Sequence, residues 1–264
     1  MVVISSLLVA SAMATAAFAA PAPAPQAKRA TNSKKGAAYN DASLVSLVTD
    51  ASWAYNWDYE VGGTLPDGVE FVPMMWGTGD EDVWTSAIET ALDNGATAIL
   101  GFNEPDLSTQ SNLTPAEAAA AYKQYITPYK DQAQLVAPAV TNGAAPMGLT
   151  WLEEYLEECN GECGQTAIAI HYYAYVTDTA FEDYVNEAYA VAEKHGIYKV
   201  WITEFELTPA TDAEQVSFIS EVLPWLDEQD FVERYSYFFV AEDYLVDSAG
   251  TALSEIGSAY NNDS

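Results

Sequence analysis

Thr166-Ala-Ile-Ala-Ile-His-Tyr-Tyr173 is a short apolar run, followed by a helical pattern from Phe181 to His195 that Gly196 stops. A second run, Tyr198-Lys-Val-Trp-Ile-Thr-Glu-Phe205, comes immediately after. Two buried-type strands separated by a helix read as a parallel pair with a crossover. The same unit recurs outward in both directions. Strand candidates begin near Gly36, Trp53, Glu70, Thr97 and Leu135 upstream, and near Glu233 downstream. Helix signals fill most gaps: Asp80 before the Val83, Trp84, Ala87, Ile88, Ala91, Leu92 face, and capping boxes at Thr114-Pro-Ala-Glu117 and Thr211-Asp-Ala-Glu214. Trp84, Trp151 and Trp225 fall on helical patterns and are expected to pack in the core. The stretch Val61 to Gly68 is too short and too rich in Gly and Pro for a helix. Eight strands alternating with helices predict an α/β fold, a (β/α)8 TIM barrel, as a single domain over residues 36–264. A doubly wound open sheet is the alternative, but no Gly-rich phosphate loop follows any strand.

What precedes the barrel reads differently. Val2 to Ala20 is apolar or small, and Ala17-Phe-Ala19 offers a small-x-small cleavage pattern, so residues 1–19 are expected to be a signal peptide. Residues 20–35, Pro-rich with a dibasic pair at Lys28-Arg29, read as a linker or propeptide. A secreted protein of the extracellular space or cell wall follows. Cys159 and Cys163, the only cysteines, are then expected to form one local disulfide across a turn at Gly161.

Charge narrows the partner. The sequence has 9 basic against 39 acidic residues, a formal −30, and four of the nine basic residues precede Asp41. So acidic a body repels phosphates, which argues against nucleic acid and anionic membranes and favours a neutral ligand.

In a barrel the chemistry sits at the C-terminal ends of strands. Strand four ends in Gly101-Phe-Asn-Glu-Pro-Asp106, strand seven in Trp201-Ile-Thr-Glu-Phe205, and strand six in His171-Tyr-Tyr173. A carboxylate is costly to bury, so two aimed into one mouth suggest a working pair. Glycoside hydrolysis needs such a pair, one group to protonate the leaving oxygen and one to attack or to activate water.

With these motifs goes a resemblance. Together with Ala38-Tyr-Asn-Asp41, Trp53-Ala-Tyr-Asn-Trp57, Phe71-Val-Pro-Met-Met-Trp-Gly77, Pro138-Ala-Val-Thr-Asn-Gly143 and Val232-Glu-Arg-Tyr235, they resemble glycoside hydrolase family 128 from about Lys35 to Tyr260. Tyr172, where the family motif carries Trp, and the extra carboxylate of Glu206 are departures. The resemblance implies a retaining endo-β-1,3-glucanase with Glu104 as acid/base and Glu204 as nucleophile. Asn103 is then placed for a sugar hydroxyl, Tyr173 for orienting Glu204, and His171 for the same wall. Aromatic rings stack on the apolar faces of sugars, and Trp57 and Trp76 head the candidates. Tyr39, Trp53, Tyr55 and Tyr172 come next, with Phe205 beside the nucleophile and Phe238 and Phe239 on strand eight. The expected partner is β-1,3-glucan polysaccharide or oligosaccharide, the expected state a monomer, and no metal or organic cofactor is expected. Two alternatives remain, a β-1,4-glucanase or mannanase and a catalytically silent glucan-binding wall protein.

Overall fold

Each of the eight apolar runs becomes a strand, and every pair is parallel. The computed structural model describes residues 34–174 and 178–262, so the expected signal peptide and most of the linker lie outside the described residues. Lys34 and Lys35, assigned above to the linker, belong to the fold. Lys34 Nζ donates to the carbonyls of Leu226, Asp227 and Gln229, and Lys35 is buried and bridged to Tyr235.

Strands β1 (Gly36–Ala38), β2 (Trp53–Tyr55) and β3 (Glu70–Phe71) form one sheet. Strands β4 (Ala98–Leu100), β5 (Gln134–Val140), β6 (Ala167–Tyr173), β7 (Val200–Glu206) and β8 (Val232–Tyr237) form a second, curled one, a half-barrel. The two are not one continuous ladder. Pro73 has no N–H to donate, and β3 is only two residues long. Single bridges tie the edges instead: Met74 to Leu100 on one side, Lys35 to Tyr235 and Tyr39 to Val240 on the other. Helices α1 (Glu81–Asp93), α2 (Pro115–Tyr125), α3 (Leu149–Cys159), α4 (Asp178–Lys194) and α5 (Asp212–Glu228) cover the outer face. Both capping boxes form as read, Thr114 with Glu117 and Thr211 with Glu214. Asp80 precedes α1 but makes no side-chain cap. No helix occupies the β2–β3 crossover, and a six-residue 3₁₀ segment, Ala42–Leu47, serves the first. Among the described residues no helix is long and apolar enough to cross a membrane.

A further helix, α6 (Glu255–Asn262), follows β8. A Cβ on its Gly257 would lie 1.9 Å from the Leu245 carbonyl oxygen, so only glycine lets the helix seat there. Cys159 and Cys163 form the disulfide at the end of α3.

The core has two compartments, set by strand alternation. Inside the sheets lie Trp53, Tyr55, Met74, Leu100, Val136 and Trp201 with several alanines. Between sheets and helices lies the larger cluster, including Tyr39, Phe102, Tyr172, Phe205 and Tyr237. Trp84 and Trp151 are buried there, and Trp225 packs against its edge. At the N-terminal ends of the strands Arg234 closes the interior. It pairs with Glu70 at 2.8 Å and lies over the Trp201 ring at 4.5 Å.

Candidate active site

The C-terminal strand ends open into a cleft of about 850 Å³. Glu104 and Glu204 face each other across it, both nearly buried. Glu204 gets there by a β-bulge. Ile170 pairs with Ile202 but His171 pairs with Glu204, so Thr203 is the extra residue in β7. The bulge re-aims the strand so that both Thr203 and Glu204 meet His171. Glu104 lies just past β4 with φ of +41°, its N–H held by the Ala139 carbonyl at 2.8 Å. Trp57, on the loop after β2, has φ of +59°. Left-handed backbone at a residue with a side chain costs of order 1–3 kcal/mol, and such outliers gather where a side chain must be aimed.

His171 joins the two carboxylates and is fully buried. Its Nδ1 lies 2.8 Å from Glu104 Oε1, and its Nε2 lies 2.9 Å from Thr203 Oγ1 and 3.4 Å from Glu204 Oε1. One oxygen of each glutamate and a ring nitrogen of His171 all fall within 4.8 Å of one another. That spacing could also admit a cation, but the hydrogen bonds just given already satisfy the imidazole. Burial pulls the His171 pKa down. The charges of Glu204 and Glu104, the Glu104 hydrogen bond and the more distant Asp106 outweigh it and leave the value above the ordinary 6.5.

Glu204 is held on both oxygens. Trp57 Nε1 donates to Oε1 at 2.7 Å, and the Tyr173 hydroxyl donates to Oε2 at 2.5 Å. Beside this carboxylate burial drives the Tyr173 phenol far above its usual range, so it stays a donor. Asn103 is nearly buried and its Oδ1 has no partner among the described residues, while its Nδ2 reaches Gln110 at 3.4 Å. Trp76 stands exposed at the rim.

Five of the aromatic candidates are not in the cleft. Tyr39, Tyr172 and Phe205 fall on outward positions of the alternation. Tyr39 bonds the Val61 carbonyl, Tyr172 packs on Phe181 and Tyr184, and Phe205 on Phe181, Phe218 and Tyr237. Trp53 points inward but from the start of β2, at the closed end, between Tyr55 and Trp201. Tyr55 is a fully buried floor whose hydroxyl bonds the Thr203 carbonyl at 3.0 Å. It supports the site from beneath and cannot stack on a ligand.

Several cleft residues were not foreseen: Asn40, Leu107, Gln110, Met147 and the Thr141–Gly143 turn. Asn142 exchanges two hydrogen bonds with the Tyr173 backbone, and Asp106 accepts from Thr141 and from Gly148 N, which fixes the loop after β5. The motifs containing Asp106 and Asn142 were legible, but not the long-range bonds they make.

Glu206, at the end of β7, is half-buried and is not among the cleft-lining residues. Desolvation pushes its pKa up from 4.5 to about 7. A group that binds its proton more tightly when folded favours the native state at low pH, and that advantage is lost as pH rises through about 7. Glu206→Gln should therefore raise stability near pH 8 by roughly 1 kcal/mol, allowing for solvent screening of a half-exposed group, and add nothing near pH 4. Thermal unfolding at the two pH values checks this, and an equal gain at both contradicts it. Activity should fall modestly at most.

Two buried carboxylates bridged in a cleft at the ends of parallel strands are the equipment of a glycoside hydrolase. Residues 35–260 match the family model described as glycosyl hydrolase catalytic core. The structure is similar to that of a family 128, subgroup III, curdlan-specific exo-β-1,3-glucanase from Blastomyces gilchristii in complex with glucose. Identity is 42% over 86% of this chain and 97% of that one, with a TM-score of 0.82. A subgroup I endo-β-1,3-glucanase from Amycolatopsis mediterranei, in complex with laminaripentaose, is 27% identical over 88% of this chain and 100% of that one, with a TM-score of 0.72. Alkali-sensitive linkage protein 1 of Schizosaccharomyces pombe is 31% identical over 79% of this chain, which spans 40% of that protein's length. The chain belongs to glycoside hydrolase family 128.

Proposed function

We propose that this protein is a secreted, retaining β-1,3-glucanase acting on neutral β-glucan. One observation carries the mechanism: an oxygen of Glu104 lies within 4.8 Å of one of Glu204. Oxygens this close favour double displacement, whose carboxyls stand about 5–5.5 Å apart, over an inverting pair, which stands roughly 6.5–9.5 Å apart to admit an activated water. Glu204, held by Trp57 and Tyr173, is the nucleophile that attacks the anomeric carbon. Those two donors favour its ionised form and fix its direction. Glu104 protonates the glycosidic oxygen and then deprotonates the incoming water. The unpartnered Oδ1 of Asn103 accepts from a sugar hydroxyl at the reacting unit, and Trp76 offers a ring face to the chain. The fold reading that goes with this is a closed (β/α)8 barrel, supported by the single bridges at both sheet edges. Secretion is supported by the Val2–Ala19 segment and by the disulfide.

Endo action follows from the family resemblance. Exo action is a second reading, favoured by the 42% identity to the curdlan-specific exo-enzyme. Reducing-sugar release from laminarin, curdlan, cellulose and mannan tests the substrate, with chromatography of early products to separate the modes. Activity confined to the β-1,3-glucans is expected. Faster release from cellulose or mannan, or none from any, overturns the proposal.

A further inference from the structure

Aromatic rings continue past the edge of the cleft. From Tyr173, which holds Glu204, the centroids step to Phe238 at 5.5 Å, to Phe239 at 4.4 Å and to Tyr244 at 4.6 Å. Phe238 and Phe239 line the cleft, whereas Tyr244 lies beyond its lining and is 42% exposed. Among the described residues its hydroxyl has no partner. Its contacts with Phe239 and Phe238 hold one side of the ring and leave the rest open to solvent, whereas the next two residues, Leu245 and Val246, are fully buried.

The segment that carries Tyr244 is fixed. Leu245 N donates to the Phe239 carbonyl and Ser254 Oγ to the Tyr244 carbonyl. Asp247 accepts from the N–H groups of Thr251 and Ala252, closing the turn beyond. A ring on so tied a segment is already oriented, and a ligand loses little ordering entropy in meeting it. Immediately before it in sequence, Glu242 and Asp243 are exposed. Their carboxylates can accept from hydroxyl groups and repel anions, which suits a neutral polyol and not a phosphorylated or anionic partner.

We propose that Tyr244, with Phe239, is an outer platform that seats a glucosyl unit of a β-glucan chain extending out of the cleft. The inference rests on the glucan-binding reading above and deepens it: the site recognises chain length. The test compares kcat/KM for laminarihexaose and laminaritriose in the wild type, Y244A and Y244W. The hexaose-to-triose ratio should fall roughly 2- to 12-fold in Y244A, the range expected from loss of one aromatic contact, and recover in Y244W. A ratio unchanged in Y244A, or one that Y244W does not restore, overturns the platform. Calorimetric binding of laminarihexaose to the Glu204→Gln protein, with and without Y244A, separates this from the hydrolase reading. Weaker binding on Y244A in a wild type that cleaves nothing leaves the platform standing and removes the glucanase. Equal hexaose affinity in an active enzyme does the reverse.

Discussion

Truncation of Glu204 to alanine is expected to lower kcat by roughly a thousandfold or more, with glucan binding retained. Added azide should then restore turnover and release the α-glucosyl azide, the product of a single inverting displacement. The structure gives azide a seat. Trp57 Nε1 and the Tyr173 hydroxyl, which now bond the two oxygens of Glu204, stay behind as donors around the vacated space. Glu104→Ala should behave differently. There azide intercepts the glycosyl-enzyme and yields the β-azide, because two inversions have occurred. An α-azide from Glu104→Ala in place of Glu204→Ala would mean that the two roles are reversed.

The second large effect concerns His171. Its removal leaves two carboxylates within 4.8 Å of one another with no cation between them. Breaking a buried ion pair by deleting one partner costs about 3–5 kcal/mol, so His171→Ala should unfold at much lower denaturant concentration than the wild type. The pH dependence has a definite sign. The folded pKa of His171 lies above 6.5 because Glu204, Glu104 and Asp106 outweigh burial. Its stabilisation is therefore complete below the unfolded value and is lost as pH rises through the folded one. His171→Gln keeps polar atoms near Glu104 and Thr203 but no charge. Its stability deficit should be larger near pH 5.5 than near pH 8.5. Denaturant unfolding at both pH values is the check, and a deficit independent of pH would show that His171 acts through packing alone.

Why some of this was legible and some not has a physical reason. Most of the strands announced themselves because parallel strands buried on both faces read as apolar runs, whereas β3, two half-buried residues, was marked only by the apolar stretch that follows it. Such runs do not say which residues face in. Tyr39, Tyr172 and Phe205 sit one position away from inward-facing neighbours, and a single-residue offset decides the matter. The bulge at Thr203 is one such offset, and it brings Glu204 into the cleft. The two carboxylates stood out because charge at the end of an apolar strand is costly without a purpose. The His171 bridge did not, since it depends on three strands meeting, and neither did the loop residues Gln110, Asn142 and Met147, which follow no period. Helix α6 was hidden by Gly257, a poor helix former kept for its contact with Leu245.

Double displacement between Glu104 and Glu204 at a β-1,3-glucosidic bond is tested by proton NMR of laminarihexaose cleavage, read in the first minutes before the new reducing ends mutarotate. The β-anomer of the new reducing end should appear first, with the α-anomer growing in later. An α-anomer formed first would require an inverting pair and would rule out a glycosyl-enzyme on Glu204.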